Sequence, residues 1–302
     1  MGSEMCIRDR SQFPSLAVGR LPLSTSSDMD AAVAKILGRK LPSADGSLLL
    51  VRDRDGTIAF SAASAEVRTA LASWNAQEVV RGADDTATHA ALLDALKAGP
   101  VAVDYQGHGI EDLWNGRVLS TTDVTALAGS GRTSLIVAAT CLNAYFIDIG
   151  RESLGAALLR TPAGGAWGVW ASSALTLPTD HALLSKTLLS AVLDQGKTLG
   201  EATLEAKQAV TDPDVRETFH LLGDPSARAV ATGSAALTAR PTAQSGASGC
   251  GTPGDPMAAL APVVLAALAF TLRRRRPARA ATARTGRVEN AQSARGFRTR
   301  GE

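Results

Sequence analysis

The run Asp104-Tyr105-Gln106-Gly107-His108-Gly109 sets a histidine between two glycines, directly after the apolar stretch Pro100-Val101-Ala102-Val103. A second apolar run, "SLIVAATC" (134–141), ends on Cys141. Imidazole exchanges a proton readily near neutral pH, and a thiol becomes a strong nucleophile once deprotonated. If both runs are strands of a parallel sheet, His108 and Cys141 stand at C-terminal strand ends. Neighbouring strands would then bring them to one rim as base and nucleophile. Backbone N–H groups beside the glycine and the cysteine are placed to hold a developing oxyanion. The two glycines are expected to allow positive φ and close approach of a substrate backbone. The other histidines read as structural: His89 and His181 lie in helical patterns and His220 in an apolar strand. Cys6, Cys141 and Cys250 form no disulfide framework, and no CxxC or Cys/His cluster suggests zinc. Neither a metal nor a cofactor is expected.

The chain must supply adjacent strands to make this geometry, and its pattern does. From Ser47 onward, short β-branched or apolar runs alternate with stretches of helical period, which indicates an α/β fold of βαβ units with a mostly parallel sheet. Strands are predicted at "SLLLVRD" (47–53), "AQEVV" (76–80), "VAVDY" (101–105), "SLIVAATC", "AWGVWAS" (166–172) and within "FHLLGDP" (219–225). The run 134–141 is apolar on both faces, as a central strand covered by helices on both sides should be. Val67, Ala70, Leu71 and Trp74 predict a helix packed on the sheet, and Ala91, Leu92, Ala95 and Leu96 a second that ends at Gly99-Pro100. Ser120 with Asp123 reads as a capping box opening a short helix that stops at Gly129. Leu183, Leu184, Thr187, Leu188, Ala191 and Val192 mark an amphipathic helix, and Thr198 with Glu201 caps another.

The formal net charge of +2 is unevenly placed. Residues 273–302 carry ten arginines and two glutamates, about +8, which leaves about −6 on residues 1–272. A basic tail on a mildly acidic globule argues against nucleic-acid binding. With 45% hydrophobic and 20% charged residues, the rest has the composition of a folded domain. From about Thr232, Ala, Thr, Ser, Gly and Pro dominate, and 232–255 reads as a linker containing Gly249-Cys250. An uncharged stretch of 17 residues (256–272) and four arginines (273–276) follow. That length is close to the roughly 20 residues that cross a bilayer, with the arginines on the cytoplasmic side. Residues 277–302 read as a basic disordered tail. At the other end, "MCIRDR" (5–10) looks like a translated sequencing-library adaptor. Residues 1–10 are therefore set aside as an artefact, and the domain 11–231 is expected to be truncated at its N-terminus.

Four segments together resemble the gingipain-like cysteine peptidases, family C25 of the caspase-type clan. "LAVGRLPLSTSSDMDAAVAKIL" (16–37) is similar to the family's Gly-Arg-x-Pro segment and following helix. "VDYQGHGIEDLW" (103–114) is similar to its histidine motif, "AATCLNAYF" (138–146) to its Thr-Cys nucleophile motif, and "FHLLGDP" to its closing turn. The resemblance implies a caspase-like three-layer α/β/α sandwich. It implies that Cys141 attacks a peptide carbonyl to form a thioester, while His108 protonates the leaving amine and then activates water. The Gly109 and Cys141 amides would form the oxyanion hole. Some members orient the histidine with an acid. Asp53 and Asp55 both stand after the first strand, and each also reads as part of a solvated turn, "RDRDG". Trp114, Trp167 and Trp170 are candidate pocket walls.

The Gly249-Cys250 pair, the apolar span and the arginine cluster resemble the C-terminal sorting signals of myxobacterial-type surface proteins, though the 26 residues after Arg276 exceed the usual pattern. The signal implies a sorting enzyme acting near Cys250, a membrane contact through the span, and an extracellular or cell-surface location. The expected activity is a cysteine endopeptidase acting on proteins or peptides. Two alternatives stay open at this point: a caspase-like surface binding module without turnover, and a secretion-linked peptidase that processes the sorting tails of other proteins.

Overall fold

The computed structural model describes residues 16–38, 46–148 and 150–230. Among these residues the strands, in chain order, are β1 (Gly19–Arg20), β2 (Ser47–Arg52), β3 (Asn75–Val80), β4 (Ala102–Gln106), β5 (Gly109–Ile110), β6 (Leu113–Trp114), β7 (Ser134–Ala139), β8 (Ala166–Ser172) and β9 (Phe219–Gly223). Helices α1 (Ser26–Gly38), α2 (Phe60–Ala70), α3 (Asp85–Lys97), α4 (Leu154–Arg160), α5 (His181–Leu193), α6 (Leu199–Ala209) and α7 (Pro213–Thr218) connect them. Seven strands form one sheet in the order β1-β9-β8-β7-β4-β2-β3, while β5 and β6 make a separate two-stranded hairpin. Every neighbouring pair in the large sheet is parallel except β8 with β9. This is the mostly parallel α/β/α sandwich the sequence implies.

The two-residue period of the strands sorts side chains into two apolar layers. From β2, Leu48 and Leu50 join Val67, Leu184 and Leu188 of α2 and α5, whereas Leu49 and Val51 join Leu92, Leu96, Leu154 and Leu158 of α3 and α4. All six residues of β7 are buried, as its uniformly apolar run requires. Each such leucine contributes about 1.5–3 kcal/mol by leaving water. A register shift opposite Ser134 and Leu135 lets Trp167 and Trp170 of β8 pack into the same layer.

Local signals hold unevenly. The Thr198–Glu201 capping box is formed at the start of α6. The Ser120–Asp123 box is only half made: Asp123 accepts from the Ser120 amide at 2.8 Å, and the helix is a single 3₁₀ turn, Val124–Leu127. The helix predicted through Trp74 stops at Ala70, which is exposed. Its buried face is Phe60, Ser64 and Val67, and the Trp74 indole instead donates to Asp194 at 2.8 Å. Buried Lys35 of α1 reaches the end of α4, where its ammonium donates to the carbonyls of Leu158, Leu159, Thr161 and Gly164 at 2.5–3.3 Å. These include carbonyls that a helix end leaves open, and burial pushes the lysine pKa down to about 7.

A buried polar bridge joins β4 to α5. Gln106 Nε2 donates to both carboxyl oxygens of Asp104, at 3.2 and 3.0 Å, and to Ser185 Oγ at 3.1 Å. Burial raises the Asp104 pKa from 3.8 to about 6 against these hydrogen bonds. With the folded value above the unfolded one, the native state holds the extra proton between about pH 4 and 6. Asp104 therefore costs stability as pH rises through that window, on the order of 3 kcal/mol in all. We expect urea titrations from pH 4 to 7.5 to show Asp104→Asn gaining stability relative to the unaltered protein as pH rises. A pH-independent difference would contradict this reading of the bridge.

Among the described residues no helix is long and apolar enough to cross a membrane. The adaptor-like segment, the linker with Cys250, the span 256–272 and the basic tail lie outside the described residues.

Candidate active site

Strands β4 and β7 lie side by side in parallel register, Gln106 opposite Ala139. His108 and Cys141 each follow two residues later, so the paired register carries both to the same rim. The loops stay together past the strands, since the Gly107 amide reaches the Ala139 carbonyl at 3.5 Å. His108 is exposed and Cys141 partly buried, as reactive groups that must meet a substrate should be. Among the described residues no hydrogen bond joins the two. The Cys141 thiol instead donates to the Thr176 carbonyl at 3.6 Å. The His108 ring meets buried Phe60, the first residue of α2, edge to face at 5.1 Å.

The main chain of His108 is held tightly. Its carbonyl accepts from the Tyr105 hydroxyl at 2.7 Å and from the Asn115 amide at 2.9 Å. Tyr105 stacks on Trp114, with ring centroids 4.0 Å apart. The Trp114 indole donates to Asn143 Oδ1 at 2.7 Å, and Asn143 Nδ2 donates to the Ile110 carbonyl at 2.6 Å. Asn143 thus ties the loop after Cys141 to the β5–β6 hairpin after His108. On the cysteine side, Leu142 adopts φ 61°, a left-handed conformation that costs a branched residue about 1–3 kcal/mol. Its amide bonds to the Ala174 carbonyl at 3.2 Å, fixing the sharp turn that lifts Cys141 out of β7. Thr140, packed against Gly109, keeps a buried hydroxyl with no partner among the described residues.

The glycines do something other than expected. Neither Gly107 nor Gly109 has positive φ. A Cβ at Gly107 would collide with the Tyr105 phenol, and one at Gly109 would lie 2.7 Å from Thr140 Oγ1 and 3.0 Å from the Leu113 carbonyl oxygen. They are glycines because the histidine loop is pressed between its own hairpin and the nucleophile strand.

Neither acid touches the imidazole. Buried Asp53 accepts from Asn115 Nδ2 at 2.7 Å, Arg81 at 3.0 Å and the Arg54 amide at 2.8 Å. Burial alone would raise its pKa, but the hydrogen bonds from Asn115 and Arg81 outweigh burial and hold the carboxyl below its ordinary value. Asp55 is exposed and accepts from the Ser61 amide at 2.8 Å, which orders the start of α2. Asn115 links Asp53 to the His108 main chain, its Nδ2 donating to the carboxylate and its main-chain N–H to the His108 carbonyl. We expect Asp53→Asn to lower kcat/KM about tenfold and Asp55→Asn to leave it within twofold. Equal losses in the two variants would contradict this assignment.

The three tryptophans are not pocket walls. Trp114, Trp167 and Trp170 are 0–2% exposed: Trp114 belongs to the histidine scaffold and the other two to the core under α5 and α6. The remaining histidines are structural. His89 bonds to the Val118 carbonyl at 3.1 Å. His181 is buried against Phe219, meets Thr176 Oγ1 at 2.9 Å and is pushed by burial to a pKa of about 4. His220, packed on Phe146, is likewise lowered to about 4 by burial and the nearby Arg20 and Lys207 charges.

A mostly parallel sheet bearing a histidine and a cysteine on adjacent C-terminal strand ends defines a caspase-type architecture with a thiol site. The chain belongs to peptidase family C25, a family of cysteine-type peptidases, whose family model matches residues 5–230. Among solved structures it resembles the Arg-specific cysteine proteinase gingipain R, with a TM-score of 0.63 and 18% identity over 72% of this chain and 56% of that one. A complex of the Porphyromonas gingivalis RgpB pro- and mature domains matches with a TM-score of 0.60 and 18% identity, over 71% of this chain and 56% of that one. These likenesses show a shared fold, and the chain spans little more than half the length of either structure. No curated protein sequence matches.

Proposed function

We propose that the protein is a cysteine endopeptidase in which Cys141 is the nucleophile and His108 the proton carrier. The observation that carries this reading is the register of β4 on β7, which delivers both residues to one rim two positions past a hydrogen-bonded pair. The thiolate attacks the peptide carbonyl, a C–S bond forms, and the carbonyl electron pair moves to oxygen beside the Gly109 and Cys141 amides. His108, as imidazolium, gives its proton to the amine nitrogen as the C–N bond breaks. It then takes a proton from water, whose oxygen attacks the thioester carbonyl; the C–S bond breaks with its electron pair on sulfur, which restores the thiolate beside the imidazolium and releases the acid.

Cell-surface action, with a sorting step near Cys250, rests on the sequence of the tail. Incubating the full chain with a mixed peptide library and reading cleavage by mass spectrometry tests the proposal. Cleavage supports it. An uncleaved library, with a folded protein whose Cys141 alkylates normally, would favour a binding module without turnover.

A further inference from the structure

The segment beside the thiol has an unusual surface. Residues 175–177 follow β8 as Leu-Thr-Leu, and their burial alternates: Leu175 is 74% exposed, Thr176 partly buried and Leu177 70% exposed. Leu177 has extended backbone angles, φ −78° and ψ 144°. Both leucines are therefore open to solvent, one on each side of Thr176 in sequence. Thr176 points inward, where its hydroxyl meets the Nε2 of buried His181 at 2.9 Å, while its carbonyl accepts from the Cys141 thiol at 3.6 Å. The pair of exposed leucines is thus anchored, and it flanks the main-chain carbonyl that accepts from the Cys141 thiol.

Charge around the site points the same way. The three rim segments 107–110, 138–147 and 172–179 contain no charged side chain apart from what His108 carries. The acids of the neighbouring strand end are engaged elsewhere, Asp53 with Arg81 and Asn115, and Asp55 with the Ser61 amide. Glu111, on the hairpin after His108, pairs with Arg151 at 3.2 Å. A lysine or arginine entering this rim would give up water without gaining an opposite charge from these segments, whereas an apolar side chain would cover two exposed leucines.

We infer that 175–177 is the specificity wall of the site and that the peptidase selects peptides with a large apolar residue next to the scissile bond. The inference rests on the reading of Cys141 as the nucleophile. It makes Leu175 and Leu177 specificity-determining.

The test is a cleavage profile of the full chain on a positional peptide library, run beside L175E/L177E, with iodoacetamide labelling of Cys141 in both proteins. Both leucines are exposed, so the double variant should fold. The expected profile of the unaltered protein favours Leu, Met or Phe over Lys, Arg, Asp and Glu by at least about tenfold. The double variant should lose that preference and gain cleavage beside Lys or Arg, with unchanged iodoacetamide labelling. A charged preference in the unaltered protein, or an unchanged profile in the variant, would overturn the inference while leaving the nucleophile in place. Normal labelling with no cleavage of any peptide would remove the reading of the site and the inference with it.

Discussion

Cys141→Ala is expected to lower peptide hydrolysis by at least about 10⁴-fold while leaving the protein folded. The size follows from the proposed role, in which Sγ is the atom that forms the bond to the substrate, because removing the nucleophile of a catalytic unit costs about as much as removing the whole unit. The stability change should stay within about 1 kcal/mol, because the side chain is only partly buried and its one hydrogen bond is a long contact to the Thr176 carbonyl. Circular dichroism and thermal melting separate this outcome from misfolding. Hydrolysis within tenfold of the unaltered protein would mean that another residue does the chemistry.

The second large effect is expected at Gly109. An added methyl would lie 2.7 Å from Thr140 Oγ1 and 3.0 Å from the Leu113 carbonyl oxygen, distances that side chains do not tolerate without movement. Thr140 is 1% exposed and immediately precedes the nucleophile, so it has little room to yield. The hairpin must shift, carrying with it the His108 ring and the Gly109 amide. A displacement of about 1 Å costs on the order of 10²-fold in rate when the displaced groups act in the transition state. Gly109→Ala should therefore lose about 10²-fold in kcat with KM little changed. Thiol alkylation of Cys141 by iodoacetamide, which needs no oxyanion hole, should be nearly intact. A loss confined to KM would place Gly109 in substrate binding instead.

Much of this was legible from residue types. β2, β7 and β8 announce themselves because a buried parallel strand leaves a short, largely apolar run, β4 begins in the apolar stretch 100–103, and the segments that lead to His108 and Cys141 locate the rim. What was not legible arises from tertiary contact. The β5–β6 hairpin has strands of two residues each, too short for any periodicity, and it exists because Tyr105 stacks on Trp114 and Asn143 bonds to Ile110. The left-handed turn at Leu142 has no signature, since leucine is among the residues least suited to it. The tryptophans read as pocket walls because aromatic rings favour both cores and binding surfaces, and only burial tells them apart. The glycines stand out in the sequence, but what the structure shows at them is a close approach of protein to protein, which sequence does not distinguish from a backbone twist. Asp53 and Asp55 are equivalent on paper, and it is Arg81 and Asn115, distant in sequence, that separate them.

The pairing of Cys141 with His108 is tested most directly by the site and rate of attack on a peptidyl acyloxymethyl ketone. The full chain contains Cys6, Cys141 and Cys250, so mapping the adduct by mass spectrometry is itself a choice among three thiols. The predicted result is a single adduct on Cys141, formed about 10²-fold more slowly in His108→Ala. An adduct on Cys6 or Cys250, or one on Cys141 that forms equally fast without His108, would contradict it.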